Sequence, residues 1–106
     1  MIMDMDSVGV VGPTAFKELL AAGSVQNAAI RASTQGLVIA LKVGTSDFVL
    51  GRSRGGVRYF HSIDGAASVL IQHGICQFDS DVTGWLPRTL TRNKGGELLG
   101  GTSDEP

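Results

Sequence analysis

VQNAAIRASTQGLVIALKV, residues 25–43, decides the architecture. Its second part, residues 37–43, is almost wholly apolar and rich in Val, Ile and Leu, as expected for a strand covered on both faces. The first part supports two readings. Ala28, Ile30 and Ala32 alternate with Ala29, Arg31 and Ser33, which is strand periodicity, whereas Val25, Ala28, Ala29 and Ala32 also fit a helical stripe. The turn-like Ser33-Thr34-Gln35-Gly36 leads straight into the apolar run, which favours a hairpin.

Downstream, Gly44-Thr45-Ser46 is a turn, and Phe48 and Leu50 share one face of a short strand. A polar, glycine-rich turn over residues 52–56 leads to another short strand over 57–61. Three successive strands joined by tight turns form an antiparallel meander. A helix follows. Ser62 suits its N-cap and Asp64 its first turn, where the helix dipole favours an acid. Ile63, Ala66, Ala67, Leu70 and Ile71 form its apolar stripe, and Gly74 stops it. Residues 75–79 read as a strand. The strand–helix–strand path from 57 to 79 is long enough for a parallel crossover, which is expected to be right-handed.

Upstream, Gly12-Pro13 marks a helix start, because proline tolerates the first helical position. Phe16, Leu19 and Leu20 form its apolar stripe, with Lys17 and Glu18 outward, and Gly23 closes a helix over residues 13–22. Residues 1–7 are expected to fray. The expected fold is α+β: one domain over residues 1–90, with a four- or five-stranded, mainly antiparallel sheet and two helices on one face. Its core is expected from Leu37, Ile39, Leu41, Phe48, Leu50, Phe60 and Phe78. Residues 91–106 read as a flexible C-terminal tail.

The totals agree with this. A chain of 106 residues, 42 % apolar, supports one modest core but not two. The net charge is −1, with a mildly basic stretch over residues 51–96. That stretch permits an anionic partner without requiring one. Cys76 is the single cysteine, so no intrachain disulfide can form, which fits a reducing compartment. The first twelve residues carry two acids and no basic cluster, and no apolar run reaches the roughly 20 residues that span a bilayer. A cytoplasmic, bacterial-type domain with no membrane association is the expectation.

Several groupings could carry chemistry, and each has a plainer explanation. His61, Asp64, His73 and Cys76 are sparse for zinc, which normally takes denser, paired Cys/His sets. A Cys76–His73 nucleophile pair needs an accessible thiol, but alternation with Phe78 turns Cys76 inward. Asp79 and Asp81 have no contrasting environments for acid–base work. GRSRGG, residues 51–56, matches no phosphate-binding loop because no helix follows it. Catalytic residues, a metal and a cofactor are therefore not expected.

Two surface candidates remain. Arg52, Arg54 and Arg58, with Tyr59 beside them, are candidate contacts for a nucleic acid or a partner. Arginines on a β-ribbon reach phosphates and base edges, and they also guard a sheet edge against aggregation. Trp85 and Leu86, in Gly84-Trp85-Leu86-Pro87, are a candidate partner anchor, although the indole can equally fold back to cap the sheet.

The stretch Arg58-Tyr59-Phe60-His61-Ser62-Ile63-Asp64, then Ala66-Ala67, Val69-Leu70, Gly74, Phe78-Asp79 and Asp81, together with Gly12-Pro13-Thr14-Ala15-Phe16, resembles small ParC-type accessory proteins of plasmid partition and stability regions. The resemblance covers about residues 12–82. Gly65 and Ser80 depart from the usual pattern, which often has an acid and a valine there. It implies a non-enzymatic role on a mobile element and brings no catalytic residues. The expected function is thus a non-catalytic accessory or regulatory protein of a plasmid partition or stability system, acting by protein–protein interaction, with homo-oligomerisation open. The alternative is a small β-ribbon DNA-binding regulator using Arg52, Arg54 and Arg58.

Overall fold

The hairpin reading holds. In a computed structural model, which describes residues 8–86, Val25–Ser33 forms β2 and Gly36–Val43 forms β3, paired antiparallel. The Ser33 hydroxyl donates to the Gly36 carbonyl at 2.7 Å and accepts from the Gln35 N–H at 3.3 Å. A buried hydroxyl thus satisfies the turn's own backbone. Gly36 sits at φ +146°, where a side chain is strained, and a Cβ there would lie 2.9 Å from the Phe60 carbonyl oxygen.

The other elements are β1 (Gly9–Val11), α1 (Pro13–Ala21), β4 (Ser46–Leu50), α2 (Ile63–Gln72) and β5 (Asp79–Asp81). They make one five-stranded sheet in the order β1-β4-β3-β2-β5. Strand β4 pairs antiparallel with β3, whereas β1 is parallel to β4 and β5 is parallel to β2. Only β3 therefore runs against the others, and the sheet is mixed rather than mainly antiparallel. The cause is a pair of crossovers: β1 reaches β2 through α1, and β4 reaches β5 through α2. Both move the same way across the sheet, so a common right-handed sense puts both helices on one face. Phe16 of α1 and Ala66, Val69 and Leu70 of α2 indeed join a single core with Ile30, Leu37, Ile39, Leu41 and Leu50.

Strand β3 is covered on both faces, as its composition indicated. Leu37, Ile39 and Leu41 face the helices, while Val38 and Ala40, buried as well, alternate to the other side. Of the expected core, Leu37, Ile39, Leu41, Leu50 and Phe60 are buried, and Phe48 and Phe78 pack partly buried against it. The α2 stripe needs correction. Ala66, Val69 and Leu70 face inward, whereas Ile63 and Ile71 are 39 % and 55 % exposed. The buried face is thus a narrow i, i+3, i+4 stripe that leaves both isoleucines at its margin.

The helix ends follow local rules. Pro13 occupies the first turn of α1 after the Gly12 cap, and Gly23, at φ +71°, lets the chain leave it. Ser62 caps α2, its Oγ accepting from the Gly65 N–H at 3.0 Å, a cap of a kind worth about 1 kcal/mol. Asp64 lies in the first turn of α2.

Two expected strands do not form as read. Residues 57–61 make only isolated bridges, Gly51 to Val57 and Leu37 to Phe60. The chain there has left β4 through a tight loop and touches β3 only at one point. Of residues 75–79, only Asp79 belongs to a strand, since β5 begins there opposite Ala29. The fraying of residues 1–7 and the tail over 91–106 lie outside the described residues. No helix among the described residues is long and apolar enough to cross a membrane.

Candidate functional site

The arginine loop hangs from the end of β4. Its base is narrow because Gly51 has no side chain: a Cβ there would come within 2.5 Å of Val10 Cγ1 and 2.8 Å of the Gly56 carbonyl oxygen. The Gly51 N–H donates to the Val11 carbonyl at 2.7 Å, and the Arg52 N–H to that of Gly56 at 2.9 Å. Gly55 and Gly56, at φ +98° and +80°, turn the chain back. Arg52 Nε donates to the Gly55 carbonyl at 3.1 Å, so this guanidinium braces its own loop. The Arg58 guanidinium lies 4.8 Å from the centre of the Phe60 ring, a cation–π contact. Arg54 is exposed at the tip, and Tyr59 is half-buried.

Trp85 folds back. It packs partly buried against the core after a turn in which its N–H donates to the Val82 carbonyl at 2.9 Å. Leu86 stays 50 % exposed.

His73 and Cys76 occupy different settings from those a nucleophile pair needs. The His73 ring packs tilted against that of Phe16, with centroids 4.8 Å apart and planes at 52°. Its Nδ1 lies 2.8 Å from the Val69 carbonyl oxygen, an acceptor only, so Nδ1 carries the proton and caps the helix end. Cys76 is exposed, contrary to the inward orientation expected from alternation with Phe78. Residues 75–78 are not a strand, so a period of two does not govern them. In native protein Cys76 is expected to react with a thiol reagent at close to the rate of the unfolded chain, monitored by absorbance. Modification only after denaturant is added would contradict its exposure. His61, Asp64, His73 and Cys76 are not brought together, and no group of three His, Cys, Asp or Glu side chains among the described residues could hold a metal.

Asp81 faces Arg31 across the β2–β5 pair at 3.8 Å and accepts the Thr83 N–H at 3.2 Å. Hydrogen bonds from Thr83, its side chain first and its backbone second, hold this carboxyl below the usual range. Asp79, two residues earlier, is exposed.

Asp79 also lines a feature that the sequence did not disclose. A cleft of about 310 Å³ lies between Leu20 near the end of α1, the first residues of β2, and residues 75–79. Leu20, Val25, Ile75 and Phe78 supply apolar walls, with Gln26, Asn27 and Gln77 as polar neighbours. On the β5 side, β2 is paired only from Ala29 onward, so residues 25–28 have no strand partner there among the described residues. Gln26 is an extra residue between Val25, opposite Val43, and Asn27, opposite Lys42. Such a bulge re-aims side chains, and bulges are frequent beside binding sites. The Ala28 N–H is taken by Asn27 Oδ1 at 3.0 Å.

The segment that builds both crossovers, the arginine loop and this cleft is nearly the segment matched by one protein-family model. The ParC-like family model covers residues 11–89. The chain belongs to the ParC-like family. No curated protein and no solved structure matched it. The match runs from the last residue of β1 through β5, so the ParC-like unit takes in both helices and four of the five strands in full. The resemblance noted over about residues 12–82 falls within it.

Proposed function

We propose that this ParC-like chain is a non-catalytic accessory protein of a plasmid partition or stability system, acting in the cytoplasm through contacts with other proteins. The observation that carries the reading is the family match over residues 11–89. The use of the polar groups supports it. The His73 ring is engaged by Val69 and Phe16, Arg52 by its own loop, and Arg58 by Phe60. Self-association is compatible with the outer edge of β1, where Val10 is 48 % exposed, better than with that of β5, whose Asp79 and Asp81 would repel their copies.

Deleting the gene from its plasmid is expected to raise the loss of that plasmid per generation. Cross-linking of the tagged chain in the same cells is expected to trap a defined complex with a protein encoded by the partition region. Unchanged plasmid inheritance, with the chain recovered as a lone monomer, would defeat the reading. The DNA-binding alternative rests on Arg52, Arg54 and Arg58, of which only Arg54 makes no hydrogen bond, ion pair or ring contact among the described residues. It requires a gel shift that weakens with salt and is lost in Arg54→Ala.

A further inference from the structure

We infer that the cleft beside the first residues of β2 is a docking site for an extended segment of a partner protein, one presenting a large apolar side chain next to a lysine or arginine. This rests on the proposed protein-binding function and names where and what the partner would contribute. Four observations converge. The cleft holds about 310 Å³, at the lower end of the range of ligand pockets, and Leu20, Val25, Ile75 and Phe78 line it. Residues 25–28 of β2 lack a strand neighbour on that side among the described residues, which suits an extended chain rather than a helix. Among the described residues, the side-chain amides of Gln26 and Gln77 make no intrachain hydrogen bond, and they match the donors and acceptors of a peptide backbone. Asp79 is the only charged one among the described residues lining the cleft, so complementarity selects a basic neighbour for the apolar anchor.

The fold contains its own reporter. Cys76 is exposed between Ile75 and Gln77, both of which line the cleft, and it is the only thiol in the chain. Cys76 does not itself line the cleft, so an occupant shields it by extending past Ile75 and Gln77. The probe is an array of blocked peptides of about eight residues, with a central position varied among Leu, Phe and Asn and its neighbours varied among Lys, Arg and Glu. Apolar–basic members are expected to bind the intact chain, by fluorescence anisotropy, and to slow Cys76 modification several-fold. Members with central Asn or flanking Glu should do neither. Asp79→Lys should weaken binding by about tenfold, and Gln77→Ala less, both with unchanged thermal melting. Gln77→Ala also provides a reading if Asp79→Lys disturbs β5.

The inference is overturned if no apolar–basic peptide binds, or if Asp79→Lys binds them as well as the parent. It is also overturned if Cys76 becomes shielded by raising the protein concentration alone, because a second copy is then the occupant. A cross-linked partition complex that survives Asp79→Lys would sink the docking site and leave the proposed function standing. Peptide binding without any effect on plasmid inheritance would do the reverse.

Discussion

Phe16→Ala is expected to lower the unfolding free energy by about 3–5 kcal/mol, the usual cost of emptying a phenylalanine site in a core. Phe16 is fully buried, the only residue of α1 that is, and its ring meets the His73 ring at the far end of α2. One side chain therefore ties the first crossover to the second. Domains of this size hold a net stability of about 5–15 kcal/mol, so the variant should be marginal. In a urea titration the midpoint should fall sharply, while a preserved m-value would show that the unfolded state is unchanged. A loss under about 1 kcal/mol would mean that α1 does not depend on this anchor.

The second large effect is expected at Gly36. An alanine there meets two penalties. A φ of +146° is strained for any side chain, and the new Cβ would lie 2.9 Å from the Phe60 carbonyl oxygen. Strain and overpacking each cost about 1–3 kcal/mol, for a combined loss of roughly 2–6 kcal/mol. The Phe60 carbonyl cannot simply withdraw, because it accepts the Leu37 N–H at 2.8 Å and the Phe60 N–H donates back to Leu37 at 2.8 Å. That bridge holds the start of α2 against β3. Gly44→Ala is the control, because Gly44 also has positive φ, +63°, but nothing within 4 Å of its Cβ position. It should cost only the left-handed penalty of about 1–2 kcal/mol. Equal losses in the two variants would show that the close approach to Phe60 does not matter.

Both predictions depend on contacts between residues far apart in the chain, and the same distinction separates what could be read from the sequence. The helix ends could be read: Pro13, Gly23, Ser62 and Gly74 act on their immediate neighbours. The hairpin could be read because Ser33 and Gly36 close it locally. β1 and β5 could not, being three residues each, and Asp-Ser-Asp has no strand signature of its own. Asp79–Asp81 is extended because Ala29, Ile30 and Arg31 offer it an edge.

The candidate site shows the same limit. The arginine loop is local, and its glycines marked it. The cleft is assembled from Leu20, residues 25–28 and residues 75–79, which are neighbours only once α2 has carried the chain across the sheet. Its bulge at Gln26 is a register shift between two strands, a property of their pairing that neither strand encodes alone. The exposure of Cys76 escapes the sequence for a related reason, since residues 75–78 do not pair and so do not alternate.

Turns, caps and the two-sided burial of residues 37–43 thus follow from the sequence, because propensity and hydrophobic period act over a few residues. The strand that each crossover joins, the mixed order β1-β4-β3-β2-β5 and the cleft were decided only by tertiary structure. They depend on where two crossovers return the chain, and that is settled by joint burial of both helices against one sheet rather than by any local preference.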